Sequence, residues 1–235
     1  MLRSLKQLYG DKLGASDGEI GRVKDFYFDD QSWAVRYLIV DTGSWLPGRQ
    51  VLITPHSCGR LQLTGKALLV NLRREQIEHS PSIEEHKPVS RQFEAEYYGY
   101  FGWPYYWEGE QLWGLNGFPA LEPRTNPTAR KPYPATDPKR ESDDPHLRST
   151  QAVKGYHIQA RDGDAGHVFD FMMDDHSWAI GQLVVKTGHR PSGKEVLIPT
   201  SKVDRISYEE STVFVNLTKE AVEQSPAPQP TLAIL

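Results

Sequence analysis

Six aspartates are the side chains with the clearest capacity for chemistry. They form two sets with the same internal spacing, 145 positions apart: Asp25, Asp29, Asp30 and Asp170, Asp174, Asp175. Paired carboxylates can act as general acid and base, and clustered carboxylates can bind a hard cation such as calcium. The spacing fits neither a calcium loop nor a pair on one face. We therefore interpret these residues as turn caps and strand ends, where short carboxylates accept hydrogen bonds from nearby amides.

Histidines are the second group that could bind a metal ion. The sequence has eight: His56, His79, His86, His146, His157, His167, His176 and His189. At the 145-residue offset no histidine corresponds to another histidine, and a metal site needs three or four converging ligands. His167, His176 and His189 fall on predicted turns or polar strand faces, so we interpret them as solvated. The sequence predicts no metal site.

The sequence contains no recognised motif for nucleophilic catalysis or cofactor binding. There is no Gly-x-Ser-x-Gly, no phosphate-binding glycine loop, no His-Glu-x-x-His and no cysteine pair. The single cysteine, Cys58, corresponds to Val203 at the same offset, which predicts that it fills a small apolar site. We therefore predict no catalytic residues and no cofactor.

Aromatic residues between 93 and 118 are the strongest candidates for binding. The candidate partner-binding residues are Tyr97, Tyr98, Trp103, Tyr105, Tyr106, Trp107 and Trp113. One interpretation, which we favour, is a strap that covers one domain or seals a contact between domains. The other is an exposed platform for a partner protein or a sugar-like ligand.

An internal duplication must position all of these residues. Residues 13–81 recur as 158–226 without a gap; for example, Ser32-Trp33-Ala34 returns as Ser177-Trp178-Ala179. The recurrence makes Trp33 and Trp178 structural residues, whereas Trp45 has Arg190 as its counterpart and is assigned to the surface. Each repeat is near the lower size limit for a stable core, so we expect the two to pack together about a pseudo-two-fold axis.

The domain boundaries follow from this duplication and from composition. We assign 1–81 to the first repeat, 82–150 to a connecting segment, 151–226 to the second repeat and 227–235 to an extended tail. Within the connecting segment, 93–118 is the aromatic strap. Residues 119–150 are rich in Pro and charge with almost no apolar content, which is typical of a flexible linker.

Each repeat has the pattern of short strands separated by turns. Asp17-Gly18 followed by Gly21 predicts a tight hairpin, with strands over 21–29, 33–41, 49–54, 61–63 and 67–72 and a short helix over 73–80. Five to six short strands in so few residues favour a small closed or nearly closed barrel, because closure removes exposed edges. The predicted fold class is mainly all-β, with short helices and an aromatic-rich connecting segment.

The opening hairpin Asp17-Gly18-Glu19-Ile20-Gly21, the strand ending Val40-Asp41-Thr42-Gly43 and the strand Val51-Leu52-Ile53-Thr54-Pro55 resemble the PRC-barrel domain. That family is named for the cytoplasmic part of the photosynthetic reaction-centre H subunit. The segment around Tyr97 to Trp107 is similar to one that follows this barrel in bacterial tandem proteins. The resemblance implies two small PRC-type β-barrels that serve as an assembly or adaptor surface, without a common catalytic site.

Charge and hydropathy reduce the number of possible function classes. The formal net charge is -4 and no basic stripe is present, which argues against a nucleic-acid partner. No stretch approaches the ~20 apolar residues of a membrane helix, so we expect a cytoplasmic protein. We predict a non-enzymatic scaffolding or protein-binding module with an unidentified protein partner. Three alternatives stay open: a peripheral accessory of a photosynthetic or electron-transfer complex, an enzyme using the aspartates, and a homo-oligomer.

Overall fold

The structure is a computed structural model that describes residues 1–58, 61, 63, 64, 67–81, 89–119, 146–188 and 193–228. The strands are β1 (Leu2–Ser4), β2 (Lys12–Ala15), β3 (Gly18–Asp29), β4 (Val35–Asp41), β5 (Gln50–Ile53), β6 (Leu63–Thr64), β7 (Ala67–Leu69), β8 (Leu147–Ser149), β9 (His157–Ala160), β10 (Gly163–Asp174), β11 (Ile180–Lys186), β12 (Glu195–Pro199), β13 (Val203–Ser207) and β14 (Thr212–Val215). The helices are α1 (Arg74–Glu78), α2 (Arg91–Phe101), α3 (Thr150–Val153) and α4 (Lys219–Glu223).

The two repeats fold with the same topology. The first sheet has the order β5-β4-β3-β2-β7-β6 and the second β12-β11-β10-β9-β14-β13. Neighbouring strands are antiparallel except for one parallel pair in each sheet, β2 with β7 and β9 with β14. Each repeat therefore contributes six strands to its own sheet in a mainly β fold, in agreement with the predicted five to six.

Neither sheet closes into a barrel in the described part of the chain, so the mainly β fold is as predicted but the two barrels, closed or nearly closed, are not confirmed. The outer strands β5 and β12 are covered instead of being joined to β6 and β13. The Tyr97 hydroxyl donates to the Leu52 carbonyl at 2.7 Å, and the Leu197 amide donates to the Pro226 carbonyl at 2.8 Å. Covering an edge protects its backbone groups much as closure does.

A seventh strand in each sheet comes from the other repeat. β1 pairs antiparallel with β10, and β8 pairs antiparallel with β3. Both arms have the sequence Leu-Arg-Ser, so the duplication extends upstream of residue 13. Sequence comparison missed this extension because residues 5–12 and 150–157 share only one identity, Gly10 with Gly155. The repeats thus exchange arms.

The two sheets also meet at a pseudo-two-fold axis. Ala34 and Ala179, which are equivalent in the two repeats, form an antiparallel bridge. On either side, the Val35 amide donates to the Trp178 carbonyl at 2.9 Å, and the Ile180 amide donates to the Trp33 carbonyl at 2.8 Å. The structural role predicted for both tryptophans is confirmed. The two repeats therefore pack on each other within one chain as the two subunits of a symmetric dimer would.

The exchange of arms makes a prediction for the second repeat alone. A chain of residues 146–228 lacks β1, but its own arm has the same sequence and can pair with β10 of a second copy. We expect this fragment to sediment as a dimer, because swapping identical elements between copies is a low-cost route to dimers. Replacing Asp170 with Ala in the fragment removes the arm's acceptor and should shift it toward monomer. A monomer at every concentration in analytical ultracentrifugation would contradict the prediction.

The aromatic segment contains a helix that the sequence analysis did not predict. Helix α2 begins after Ser90, whose hydroxyl accepts a hydrogen bond from the Phe93 amide at 3.2 Å, and ends at Gly102 in the left-handed conformation. Phe93, Tyr97 and Phe101 recur every four residues, which places them on one helix face. This face packs on the first repeat.

Candidate functional site

The seven candidate aromatics divide by burial. Five of them are buried: Tyr97, Tyr98, Trp103, Tyr106 and Trp113. Tyr105 and Trp107 are half-buried and stack on each other with ring centroids 4.7 Å apart. An exposed platform formed by all seven is therefore absent. Most of these aromatic side chains are buried in packing contacts, as expected for a strap.

A buried carboxylate anchors the strap to the first repeat. The hydroxyls of Tyr37 and Tyr106 each donate to Glu94 Oε1 at 2.8 Å, and Arg91 lies 3.0 Å from Oε2. Glu94 is fully buried, so these partners replace the water it has lost. Burial and the adjacent Glu94 raise the pKa of Tyr37 well above its ordinary value. Both tyrosines therefore remain neutral donors.

Arg36 connects the strap to the strand β4, close to the pseudo-two-fold axis. Its guanidinium lies 3.7 Å from the Tyr106 ring centroid and donates to the Leu112 carbonyl at 2.7 Å. Close by, Trp113 Nε1 donates to the carbonyl of Ser177 in the second repeat at 2.8 Å. The strap therefore covers the first repeat and also contacts the second.

In the described part of the second repeat, three residues that contact the strap in the first repeat are replaced. Gly181 and Gln182 replace Arg36 and Tyr37, and Ser201, which is exposed, replaces the buried His56. These differences fall among otherwise matching strands. These replacements indicate from the sequence that the strap covers one repeat only. They were not used in the prediction.

Two of the six aspartates cap turns, as predicted. Asp29 Oδ1 accepts from the Ser32 amide at 2.7 Å, and Asp174 Oδ1 accepts from the Ser177 amide at 2.9 Å. Both turns lie beside the pseudo-two-fold axis and lead into the left-handed Trp33 and Trp178. The capping interpretation is confirmed for this pair.

The capping interpretation is wrong for Asp25 and Asp170, which bind the exchanged arms. Asp25 accepts hydrogen bonds from the hydroxyls of Ser149 and Thr150, the latter at 2.8 Å. Asp170 accepts from the Ser4 hydroxyl at 2.5 Å and the Lys6 amide at 2.9 Å. Burial raises the pKa of Asp25, although these hydrogen bonds act in the opposite direction.

The third pair forms ion pairs with the same arms. Arg148 Nε lies 2.7 Å from Asp30, and Arg3 Nε lies 3.3 Å from Asp175. His146 Nδ1 also lies 2.9 Å from Asp30. Each of the six carboxylates therefore contacts groups of the protein that hold a turn or an arm in place.

The histidines occupy separate environments. His56 is buried, with its ring centroid 5.1 Å from that of Trp113, whereas His176 is exposed, with its ring centroid 4.6 Å from that of Phe118. His86 and His189 lie outside the described residues. In the described part of the chain, no group of three or more His, Cys, Asp or Glu side chains is arranged to hold a metal ion.

Cys58 provides a test of local burial. It is partly buried against the core, and burial raises the pKa of its thiol to about 12. Because the thiolate is the reacting species, we expect an aromatic disulfide reagent at pH 8 to label the folded protein about a thousandfold more slowly than the urea-unfolded chain. The rate should rise about tenfold per pH unit. Equal rates in the two states would contradict this prediction.

Each repeat has an open cleft at the same place in its fold. Cleft 1, of about 970 Å³, lies between β3, the β4–β5 loop and the start of α1. Cleft 2, of about 670 Å³, lies between the corresponding elements of the second repeat. The two differ in side chains: Arg22 and Arg74 line cleft 1, where His167 and Lys219 line cleft 2.

Two equivalent glycines form the floors of the clefts. A Cβ on Gly21 would lie 2.0 Å from the Asp41 carbonyl oxygen, and one on Gly166 would lie 2.2 Å from the Lys186 carbonyl oxygen. The adjacent strands approach so closely that no side chain fits between them. This explains why the glycine recurs in both repeats.

The β4–β5 loop fixes one wall of cleft 1. The Thr42 hydroxyl lies 2.7 Å from the carbonyl oxygens of both Leu46 and Arg49, which closes the loop on itself. The loop presents Trp45, which is half-buried and lies beneath the Arg74 guanidinium at 4.6 Å. The surface assignment of Trp45 thus holds in part, but sequence reasoning did not connect it with Arg22 or Arg74.

Comparison with known proteins identifies one region of the chain. Residues 4–77 contain a PRC-barrel domain. The family match does not extend to the second repeat, whose relationship to the first rests on the sequence identities and shared topology described above. No curated protein matches the chain. No described helix combines the length and apolar character needed to cross a membrane.

Proposed function

We propose that this protein is a non-enzymatic assembly module that binds partner proteins at clefts 1 and 2. The observation that carries the proposal is that a cleft occurs at the same place in both repeats. The exchanged arms β1 and β8 hold the two repeats together. Two sites held at a fixed separation favour simultaneous engagement of two partner segments, which raises avidity without further contacts.

The environment of the carboxylates supports a non-enzymatic role. Asp25 and Asp170, the most obvious acid candidates, receive hydrogen bonds from the arms, and Asp29 and Asp174 cap turns. Neither pair is directed into cleft 1 or cleft 2. PRC-barrel domains are in general non-enzymatic modules, which agrees with this reading of residues 4–77. No observation on the described residues favours the electron-transfer or enzymatic alternatives.

Affinity capture from native lysate tests the proposal. The intact protein should retain a partner in near-equimolar amount, and the double variant Arg22→Gln, Arg74→Gln should retain much less. A control with the same charge change is Lys202→Gln, Arg205→Gln, because both side chains are exposed on the second repeat and line neither cleft. Circular dichroism establishes that all variants are folded.

The outcomes separate the alternatives. Loss of the partner from the cleft variant alone supports the module. Equal retention by both variants, or no partner at all, argues against it. A product formed by the intact protein from lysate metabolites, and lost in the Asp25→Asn variant, would favour an enzyme instead.

A further inference from the structure

We propose that cleft 1 binds an acidic peptide segment of a partner protein, with its carboxylates on Arg22 and Arg74 and an apolar side chain on Trp45. The inference rests on the proposed function and specifies the chemistry of the partner. Arginine suits this role, because its planar guanidinium can donate two parallel hydrogen bonds to one carboxylate.

The cations of cleft 1 have unused donors. Among the described residues, no carboxylate oxygen lies within 4.0 Å of a side-chain nitrogen of Arg22, Lys24 or Arg74. Arg22 donates from Nη1 to the Gly10 carbonyl at 2.8 Å, which orients the group and leaves its other nitrogens available.

The side chains of the site are also held in place by contacts within the protein. Trp45 holds the Arg74 guanidinium by stacking, and the loop that carries Trp45 is closed by the Thr42 hydrogen bonds. The Arg74 amide donates to Asp17 Oδ1 at 2.8 Å, which fixes the backbone on the opposite side. A preorganised site loses less conformational entropy when it binds.

The charge around the cleft favours peptide carboxylates over a phosphate backbone. Glu19 and Asp41 also line cleft 1, although Glu19 is paired with Lys12 at 2.8 Å. A polyanion with one charge per nucleotide would be repelled by these acids, whereas a peptide can space its carboxylates to avoid them. The exposed part of Trp45 adds an apolar surface that a peptide side chain can contact.

Cleft 2 has a different set of charges. Lys219 replaces Arg74 and His167 replaces Arg22, but Asp164 and Glu223 also line this cleft. The inference is therefore confined to cleft 1.

Fluorine NMR of the full chain tests the inference at the site itself. The six tryptophans are replaced biosynthetically by 5-fluorotryptophan, and the Trp45 resonance is assigned with a Trp45→Phe variant. The probe is the peptide Glu-Asp-Phe-Glu-Asp, and its uncharged match is Gln-Asn-Phe-Gln-Asn. We expect the acidic peptide to shift the Trp45 resonance at concentrations where the uncharged peptide does not.

Matched variants give the required contrast. Arg22→Gln with Arg74→Gln should weaken binding about tenfold or more, whereas Lys202→Gln with Arg205→Gln should leave it within about twofold. Arg22→Gln alone leaves the Arg74–Trp45 stack in place and should also weaken binding.

Three results would overturn the inference: no shift at Trp45 with the acidic peptide, equal shifts with both peptides, or tighter binding of an oligothymidylate than of the acidic peptide. If lysate capture nevertheless retains a partner that depends on the cleft, the proposed function stands and only the acidic chemistry fails. If the acidic peptide binds but capture retains nothing, the ligand assignment stands and the assembly role fails.

Discussion

Replacing Asp25 with Ala should lower the free energy of unfolding by about 3–5 kcal/mol, the range expected when a buried hydrogen-bond network is broken. The Asp25 carboxylate accepts from the Ser149 and Thr150 hydroxyls and from the Phe26 and Gln151 amides. Alanine leaves these donors without their acceptor and releases the arm β8 from β3. Urea unfolding followed by circular dichroism measures the loss.

Two further variants make the Asp25 result specific to the arms. Asp170→Ala should reproduce a large loss, because Asp170 binds β1 in the equivalent manner. Asp29→Ala removes a turn cap four residues away and should cost about 1 kcal/mol, as lost caps usually do. Similar losses in Asp25→Ala and Asp29→Ala would show that the arm contacts contribute little.

Replacing Gly21 with Ala should destabilise the protein by about 3 kcal/mol or more, within the range of severe steric substitutions. The added methyl would lie 2.0 Å from the Asp41 carbonyl oxygen and 2.9 Å from the Thr42 Cα. Both are backbone atoms, so no side-chain rotation can relieve the clash. β3 must move away from the end of β4, which also opens the floor of cleft 1. Thermal and urea unfolding both report the change.

Glycine positions elsewhere supply the comparison. Gly166→Ala should show a similar loss, since its Cβ would lie 2.2 Å from the Lys186 carbonyl oxygen. Gly99 lies inside α2, and the nearest atom to an added Cβ is the Tyr105 hydroxyl at 4.0 Å. Gly99→Ala should therefore stabilise the protein by about 0.5–1 kcal/mol through helix propensity. A Gly21→Ala protein as stable as wild type would rule out the close approach.

Features that depend on local or periodic patterns could be predicted from the amino-acid sequence. The gap-free recurrence of residues 13–81 established the duplication. The predicted hairpin at Asp17-Gly18 is present as the connection between β2 and β3. Asp29 and Asp174 were predicted correctly because an aspartate cap involves amides only two or three residues away. The strap was favoured from composition alone, since so many aromatics need burial.

How the repeats combine depends on contacts between segments that are far apart in the chain. Asp25 and Ser149 are 124 residues apart, and Ser4 and Asp170 are 166 apart, so no local pattern links them. Aspartates of the same repeat therefore took different roles according to which distant segment reached them. The open sheets and the cleft between Arg22, Trp45 and Arg74 have the same origin: each depends on contacts between elements far apart in the chain, which leave no periodic trace in the sequence.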